Sequence, residues 1–567
     1  MTTWRIVLIL TAALPALSFA VHADEAVPPQ TTAQPAATTQ HATAAQPETT
    51  AQPATTGQQA VPPSPMTTGA ITTEQPAPSA VLIEVRSKLT ALPTGLHEKE
   101  LADQTALTDF YAARDGKPLW TTDTGITAKA LLLVSELKNA DAYGLAAKDF
   151  QLSDVPESET AAQTTEAAAN AELQLSLAAL KYVRFARGGR ITDPADQLNS
   201  NLDRRPQWVD PKLVLEQLAT STAPDAVLRG YQPKHPQFEK LRELYVKALP
   251  TKPNAPLSAS AKRLRANMEM WRWMNEDMGA MYVLNNIPEF MQYVYKDGKI
   301  IRSERIVAGM IDKQSSIFSR PLKYVVLRPQ WRVPESIKVN EIWPSLIRGG
   351  GYMRQYALEL ESKDGKRLDW RKFDWVKTDI RNYEVVQPSG PKSVLGKVKF
   401  TFPSQHTIFM HDTPDKWMFR SVQRTLSHGC LRVQKPMELA ELILMEDKGW
   451  DKAKVAELNR SGPLNNEVVI DKVIPIHLVY FTVWVGDDDR QKIFGDIYGH
   501  EKRVTQALDG DWDKIKKGRN HLAPVPPINT SAVAARAPAA VNRALPRSAQ
   551  KGATMSDILG SAFGLGN

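Results

Sequence analysis

Cysteine is nearly absent from this sequence, because Cys430 is the only one among 567 residues. A lone thiol excludes an internal disulfide, and without a second thiolate nearby it is a poor start for a structural zinc site. An inert buried thiol and a reactive nucleophile remain as interpretations. Gly429 directly precedes the thiol and lets the backbone approach a bound carbonyl, with amide N–H groups free to face an oxyanion. The turn therefore favours the nucleophile and predicts acyl transfer.

A long apolar run is also absent. The one candidate, Ile6–Ala20, has about 15 residues, whereas a helix that spans a bilayer needs roughly 20. Arg5 precedes this run and Val21 and Ala23 follow it, which is typical of a cleaved signal peptide over residues 1–23. The alternative is an uncleaved N-terminal anchor. After cleavage we expect no stable membrane span.

Charge of one sign is in only modest excess. Lys and Arg number 70 and Asp and Glu number 62, which gives a formal net charge of +8. The surplus is spread along the chain without a dense basic run, and no nucleic-acid-binding motif is present. We therefore expect no nucleic acid as a partner, and a mild preference for anionic surfaces.

Both ends of the chain lack the residues that build a core. Ala, Thr, Gln and Pro dominate residues 24–80, which cannot bury enough apolar area to offset their backbone entropy. We predict a disordered linker there. Residues 509–567 include another stretch rich in Ala, Pro and Arg, and we predict that this tail is mostly disordered.

Two folded regions lie between these ends. Residues 81–265 carry apolar residues at helical spacing, such as Leu173, Leu177 and Leu180 ahead of a glycine pair, and predict a helical domain. In residues 266–508 one further amphipathic helix is followed by alternating segments with hairpin signals, which predict a mostly β domain. Within it, the nearly all-apolar stretch Val473–Val485 predicts a central strand.

The predicted strands are interrupted at about residues 331–387 by a mixed, charged segment. An insertion of about 60 residues is too long for an ordinary connection. Trp331 and Trp343 lie within it and either line a peptide groove or pack the insertion, since aromatic side chains anchor both interfaces and cores.

A thiol needs a base, and two histidines are candidates. His411 ends a predicted strand over residues 407–410, and His428 lies two residues before Cys430. In an extended segment, side chains two residues apart share a face but diverge. We therefore predict His411 as the general base and His428 as a neighbour that shapes the site.

Two motifs together resemble the active-site signature of the L,D-transpeptidases, the family with the YkuD-type catalytic domain. They are His411-Asp412-Thr413-Pro414 and Ser427-His428-Gly429-Cys430-Leu431-Arg432-Val433. Further matches cover Met281 to about Tyr498 and are similar to the large scaffold-and-cap type of the Gram-negative periplasm. The resemblance implies an α+β multidomain fold, with a helical scaffold domain before a mostly β catalytic domain, and it makes the insertion at about 331–387 a cap over the active site.

The resemblance also implies the chemistry. Cys430 is the implied nucleophile, His411 the general base and the Gly429 backbone part of the oxyanion hole. The enzyme would cut a tetrapeptide stem of peptidoglycan after its third residue, hold it as a thioester, and pass it to an amine on another stem as a 3-3 cross-link. The implied partners are therefore stem peptides in the periplasm, with no cofactor and no metal, and carbapenems are expected to modify the thiol. The side chains expected to contact substrate are Arg432, His428, Ser427 and Trp331.

Two other residues of the motifs, Arg432 and Asp412, have more than one possible role. The guanidinium of Arg432 pairs either with a carboxylate of the donor stem or with a protein carboxylate that fixes the turn. The side chain of Asp412 is expected on the strand face opposite to His411, so a backbone carbonyl is the better candidate for orienting the imidazole.

Relatives often have tyrosine where this chain has Phe409, and a separate peptidoglycan-binding repeat is not found here.

Other functions stay open. The same chemistry could join an outer-membrane protein to the wall, a hydrolase on the same fold would trim stems, and a non-catalytic wall-binding protein would not need the thiol. A zinc site of His406, His411, His428 and Cys430 has suitable ligand types, but His406 is expected on the strand face opposite to His411.

Overall fold

A computed structural model of the chain describes residues 78–90, 95–122, 125–152, 155–160, 164–252 and 255–524. The predicted signal peptide, the predicted linker up to residue 77 and the predicted tail beyond residue 524 lie outside the described residues. Within those ranges no helix has the length and apolarity needed to cross a bilayer.

The described chain begins with a helical domain. Its elements are α1 (Ala80–Leu89), α2 (Glu98–Ala113), β1 (Thr121–Thr122), β2 (Gly125–Ile126), α3 (Ala128–Lys138), α4 (Thr165–Gly188), α5 (Pro194–Gln197), α6 (Pro211–Thr220), α7 (Pro224–Gly230) and α8 (Pro236–Ala248). Helix α4 begins at the Thr164 cap, whose hydroxyl accepts a hydrogen bond from Ala167 N. The buried Glu172 on α4 accepts hydrogen bonds from the Tyr111 hydroxyl at 2.7 Å and the Trp120 amide at 2.8 Å. This network ties α2 and the β1–β2 hairpin to α4.

A further helix joins this domain to a β domain. The next elements are α9 (Ala259–Arg272), β3 (Met281–Asn286), β4 (Met291–Lys296), β5 (Lys299–Gly309), β6 (Ser319–Pro321) and β7 (Tyr324–Leu327). On α9, Glu269 accepts hydrogen bonds from Arg190 N and Ile191 N, at 2.6 and 2.9 Å, in the helical domain. Asn267, also on α9, accepts one from Thr482 N at 2.9 Å in the β domain. Helix α9 is thus bonded to both domains. The helical domain has a core of its own, and the core of the β domain extends to a few of its side chains, such as Leu198, Phe238 and Tyr245.

The insertion is a small subdomain with its own core. Its elements are β8 (Trp331–Arg332), α10 (Glu335–Ile337), a π turn (Lys338–Ile342), α11 (Trp343–Ile347), α12 (Gly351–Gln355), β9 (Glu359–Ser362), β10 (Arg367–Leu368) and β11 (Tyr383–Gln387). The four strands form a separate sheet in the order β10-β9-β11-β8. Trp331, Trp343 and Leu360 lie in its buried cluster. We call this subdomain the cap.

The chain then returns to the main sheet. The remaining elements are β12 (Val398–Thr401), β13 (Met410–His411), β14 (Thr425–Ser427), β15 (Leu431–Val433), α13 (Pro436–Lys448), α14 (Lys452–Ser461), β16 (Asn466–Val469), β17 (Pro475–Val479), β18 (Val483–Val485), β19 (Gln491–Ile493) and α15 (His500–Asp509). The main sheet runs in the order β16-β7-β12-β13-β15-β5-β4-β3-β17-β6, with β14 beside β5. Most neighbours are antiparallel, but β13 pairs in parallel with β15, as β3 does with β17 and β14 with β5. The predicted α+β multidomain fold class, a helical region before a mostly β one, is confirmed.

The stretch predicted as one central strand is divided in two. Strand β17 lies in the main sheet, whereas β18 pairs only with β19 in a separate two-stranded sheet. The break falls at Tyr480–Thr482, where the Asn267 side chain accepts from the amides of both Thr482 and Val483. A side chain from α9 replaces a neighbouring strand there, so the prediction of a single strand was wrong.

Residues 509–524 run back along both domains. Asn199 Nδ2 in the helical domain donates to Lys517 O at 2.6 Å. The His521 ring lies 2.7 Å from His406 Nδ1 in the β domain and 2.9 Å from the Ser200 hydroxyl. This segment therefore contacts both domains through polar groups.

Candidate active site

Two short strands that pair in parallel bring the candidate catalytic residues together. Met410 lies beside Leu431, and His411 beside Arg432. Met410 and Leu431 are fully buried in the main core, so His411 and Arg432 lie on the other face of the sheet. Cys430 directly precedes β15 and lies two residues before Arg432. Strand alternation therefore puts Cys430 on the same face of the sheet as Arg432 and His411.

Strand β13 is shorter than predicted. The sequence predicts a strand over residues 407–410, but Thr407 has a φ of 52°, in the left-handed region, and the strand begins only at Met410. Phe409 directly precedes the strand, and its carbonyl oxygen accepts a hydrogen bond from Leu431 N at 3.0 Å. The bend brings the Thr407 carbonyl to 4.0 Å from the sulfur of Cys430.

A backbone carbonyl orients the His411 ring. Nδ1 lies 2.5 Å from the carbonyl oxygen of Asp412, and because a carbonyl only accepts, Nδ1 carries the proton. Nε2 is then the basic nitrogen. The Asp412 carboxylate instead accepts hydrogen bonds from Lys397 N at 2.9 Å and Thr413 N at 2.7 Å. The backbone carbonyl that the sequence favoured, and not the carboxylate, is the group that contacts the imidazole.

The position of Asp412 requires a glycine nearby. Gly396 has a φ of +60°, and a β carbon there would overlap the Asp412 carboxyl group. Gly396 therefore lets the chain that leads into β12 close around Asp412, the residue that holds the His411 ring.

Two serine hydroxyls hold the loop that carries the thiol. Ser427 Oγ donates to Cys430 O at 2.6 Å and accepts from Gly429 N at 3.2 Å. Ser315 Oγ donates to Gly429 O at 2.6 Å. Gly429 has a φ of +111°, which strongly favours glycine. These bonds fix both peptide units next to the sulfur.

The two amides expected to form an oxyanion hole differ in their surroundings. Gly429 N–H already donates to the Ser427 hydroxyl, so an oxyanion would compete with that oxygen. Cys430 N–H makes no hydrogen bond to the part of the chain that the structure describes. The Cys430 amide is thus the more available donor.

Burial dominates the electrostatics of the site. It raises the pKa of the half-buried Cys430 thiol to about 11, although the Phe409 amide, Lys399 and Arg432 act in the opposite direction. Burial, with smaller contributions from Arg432 and Lys399, lowers the pKa of His411 to about 3. Thiol and imidazole are therefore both neutral at pH 7. The two cations act on both groups, which places thiol and imidazole in one electrostatic cluster.

This arrangement suits general-base catalysis. A neutral imidazole with its basic nitrogen free can accept a proton when a thiol attacks, and no thiolate needs to exist beforehand. The cations Lys399 and Arg432 then stabilise the developing thiolate.

Lys399 was not singled out in the sequence. It lies directly opposite His411 on the antiparallel strand β12, so Lys399, His411 and Arg432 form one row across three strands. Its ammonium lies 5.0 Å from the centre of the Phe409 ring, and burial lowers its pKa. The alternation of Val398, Lys399 and Phe400 signals an outward lysine, but only the strand register shows that it faces the base.

We call residues 427–430, which carry the thiol, the catalytic loop. The cap contacts this loop through a carboxylate. Glu341 Oε1 accepts hydrogen bonds from His428 Nε2 at 2.9 Å and from Lys313 Nζ at 2.8 Å. Burial alone would raise the pKa of Glu341, but its bonds to His428 and Lys313 outweigh this and lower the pKa. His428 thus binds the cap. Glu341 lies in the insertion, where no sequence motif pointed to it.

The other predicted substrate contacts are buried. Ser427 makes its hydrogen bonds within the catalytic loop, as described above. Arg432 is 8% exposed, lies 3.8 Å from Asp415 and contacts Met418, which favours the interpretation that it fixes the turn. Trp331 is 6% exposed and packs in the cap core, which favours the interpretation that it packs the insertion.

The geometry does not assemble the alternative zinc ligands. His406 Nε2 lies 3.0 Å from Asp203 and its Nδ1 lies 2.7 Å from His521, so both ring nitrogens are used elsewhere. Among the described residues, no group of three or more His, Cys, Asp or Glu side chains is placed to hold a metal ion.

Comparison with known protein families agrees with this architecture. Residues 280–464 match the L,D-transpeptidase catalytic domain of the YkuD family, and residues 105–244 match the scaffold domain. This chain carries an L,D-transpeptidase catalytic domain. The scaffold domain coincides with the helical bundle, and the catalytic domain includes the cap, His411 and Cys430.

Two individual relatives show how far the similarity extends. A Haemophilus influenzae protein named "Putative L,D-transpeptidase" is 28% identical over 271 residues, which are 47% of this chain and 53% of the relative. The chain thus spans about half the length of the curated relative it matches. An L,D-transpeptidase structure from Mycobacterium smegmatis aligns with 11% identity, over 35% of this chain and 58% of its own, at a TM-score of 0.16, which is too low to carry an argument.

Proposed function

We propose that this protein is a periplasmic peptidoglycan L,D-transpeptidase that uses Cys430 as its nucleophile and forms 3-3 cross-links between stem peptides. The observation that carries the proposal is the parallel pairing of β13 with β15, which puts His411 and Cys430 on one sheet face within a matched catalytic domain. The His411 ring presents Nε2 as a base because the Asp412 carbonyl holds Nδ1–H.

The first half-reaction is acylation. His411 Nε2 takes the thiol proton as the sulfur of Cys430 attacks the carbonyl carbon of the third stem residue. The carbonyl oxygen becomes an oxyanion that the Cys430 N–H stabilises. When the oxyanion collapses, the C–N bond breaks, the protonated His411 returns its proton to the departing amine, and the fourth residue leaves as a free D-amino acid. The donor stem remains as a thioester on sulfur.

The second half-reaction is transfer. The amine of an acceptor stem attacks the thioester carbonyl, His411 removes a proton from the attacking nitrogen, and the C–S bond breaks as the thiol is regenerated. The same chemistry accepts any amine that reaches the thioester. The positions of the base and the nucleophile therefore do not determine which amine is the acceptor, and an experiment must identify it.

The test is mass spectrometry of the muropeptides that the purified protein makes from peptidoglycan sacculi. We expect dimers joined between third residues with the wild-type protein and none with Cys430→Ala. A Ser427→Ala variant is not a suitable control because it alters the catalytic loop, whereas the exposed Lys397→Ala is expected to retain the dimers.

Other products would contradict the proposal in distinct ways. Stems shortened but never joined indicate a hydrolase. Dimers that persist in Cys430→Ala exclude the thiol as the nucleophile. A wall peptide joined to a protein amine, with no stem dimers, indicates protein attachment as the function instead.

A further inference from the structure

Ser315 lies behind the catalytic loop, on the segment that follows β5. It is fully buried and belongs to neither motif of the sequence analysis. Its hydroxyl donates to the Gly429 carbonyl at 2.6 Å and accepts from Gly309 N at 2.9 Å. The hydroxyl therefore joins the end of β5 to the peptide unit that precedes Cys430.

The orientation of that peptide unit matters for catalysis. A peptide unit is planar and almost always trans, so its C=O and N–H groups point in opposite directions. The carbonyl of Gly429 and the N–H of Cys430 belong to the same unit. If the carbonyl is held against Ser315, the N–H must face away from Ser315, toward the site.

The backbone around Gly429 does not fix this orientation by itself. With a φ of +111°, Gly429 adopts a conformation that glycine alone reaches readily, and glycine moves through such regions at low cost. Gln314 O lies 3.3 Å from the place where a Gly429 β carbon would be, so the Ser315 segment closes the back of the loop. The hydrogen bond from Ser315 therefore sets the direction of the Gly429 carbonyl, which the glycine backbone alone does not.

A second residue holds Ser315 in place. The Tyr498 hydroxyl donates to Gly309 O at 2.6 Å and lies 3.4 Å from Ser315 N as its acceptor. Tyr498 is 4% exposed, and its own amide donates to the Tyr480 hydroxyl at 2.7 Å. The restraint on the Gly429 carbonyl therefore continues into the core.

We propose that Ser315 is a positioning residue for acyl transfer, because its hydroxyl holds the Gly429 carbonyl so that the Cys430 N–H faces the oxyanion. Tyr498 supports Ser315 in this role. The inference rests on the proposed function, since it concerns the step in which Cys430 attacks a carbonyl group.

Two reactions of the same thiol separate positioning from general damage. Meropenem acylates a thiol through a tetrahedral intermediate that carries an oxyanion, whereas iodoacetamide transfers a carbon as iodide leaves, with no charge on a carbonyl oxygen. Loss of oxyanion stabilisation slows only the first reaction. Loss of the thiol's ionisation or access slows both.

The test measures both second-order rates by intact-mass spectrometry for the full chain. For Ser315→Ala we expect meropenem acylation to fall about 10- to 100-fold while iodoacetamide alkylation stays within about twofold of wild type. Tyr498→Phe is expected to show a weaker loss in the same direction. It keeps the proposal testable if Ser315→Ala does not fold.

Ser316→Ala is the matched control. This neighbouring serine is also fully buried, but its hydroxyl donates to Asn201 Oδ1 at 2.8 Å in the scaffold domain and not to the catalytic loop. We expect the ratio of the two rates to be unchanged, even where thermal stability falls.

Four results would overturn the inference. Equal losses of both rates in Ser315→Ala indicate a structural effect, and no loss of either shows that the bond is dispensable. A Ser316→Ala variant with the same selective loss shows that any buried hydroxyl of this segment has the effect. The proposed function is overturned as well if Cys430 of the wild-type protein is alkylated normally but is never acylated, by meropenem or by a tetrapeptide donor.

Discussion

At the scale of single residues, burial holds both the proposed nucleophile and the proposed base neutral. The pKa of Cys430 is raised to about 11 and that of His411 is lowered to about 3. A thiolate–imidazolium pair would require the opposite shifts. In the proposed mechanism the proton therefore moves during the attack on the substrate, and Lys399 and Arg432 are the charges available to stabilise the sulfur as it loses its proton.

The pH dependence of alkylation tests this state of the thiol. Because the thiol pKa lies above its ordinary value, the thiolate fraction keeps increasing with pH until the pH exceeds about 11. We expect the rate of Cys430 alkylation by iodoacetamide to rise steadily from pH 7 to pH 10. A short cysteine peptide with blocked ends, measured in parallel, begins to level off near its ordinary pKa, about 8.5. A plateau for Cys430 between pH 6 and pH 8 would show an ion pair instead.

Lys399→Met tests the contribution of the buried cation. Methionine has a similar length and no charge, so the pKa of the Cys430 thiol should rise further. We expect alkylation at pH 8 to slow about three- to tenfold, which corresponds to roughly half a pKa unit to one unit. The exposed Lys397→Met is the matched control and should leave the rate unchanged. Equal alkylation rates for Lys399→Met and wild type would show that Lys399 does not affect the pKa of the Cys430 thiol.

At the scale of elements, the site depends on short strands whose ends are shaped by loops. Strand β13 has only two residues, and the groups that orient His411 lie just beyond it. The sequence indicated the candidate base, the candidate nucleophile and the orienting carbonyl, because local motifs and strand alternation suffice for these. It did not indicate Lys399, Ser315 or Glu341, because their roles depend on which strands pair and where the cap lies. The break between β17 and β18 was missed for the same reason, since Asn267 on a distant helix causes it.

Gly396→Ala tests how the loop before β12 holds the base. A β carbon at this position overlaps the Asp412 carboxyl group, and the φ of +60° is unfavourable for alanine. We expect a loss of about 1–3 kcal/mol in the free energy of unfolding and a clear fall in meropenem acylation. Thermal unfolding and intact-mass kinetics measure the two effects. Gly390→Ala is the control because open space surrounds that glycine, and a Gly396→Ala variant that matches it in both assays would contradict the account.

At the scale of the whole molecule, the helical scaffold domain is more than a spacer. Some of its apolar side chains, including Leu202, Phe238 and Leu241, belong to the same buried cluster as the catalytic sheet. Helix α9 adds buried polar bonds to both domains. The order of the helical and β domains was evident from periodicity in the sequence. The shared core was not, because periodicity shows which face of a helix is apolar and not what covers it.

Removal of the scaffold domain tests this shared core. A fragment of residues 280–524 would expose the apolar face that the scaffold side chains cover, and Thr482 would lose the Asn267 side chain. We expect this fragment to aggregate or to unfold at a much lower temperature than the fragment 78–524, measured by circular dichroism and light scattering. A soluble catalytic fragment with the melting temperature of the longer one would show that the domains are independent.

The most direct test of the central claim is to trap the acyl group on the enzyme. Incubation of the protein with a tetrapeptide stem and no acceptor should add the mass of the tripeptide acyl group to Cys430, and hydroxylamine should remove it as expected for a thioester. We predict this adduct in wild type, none in Cys430→Ala, and at least about 100-fold slower formation in His411→Ala. An adduct on another residue, or undiminished formation in His411→Ala, would contradict the claim that these two strands supply the nucleophile and its base.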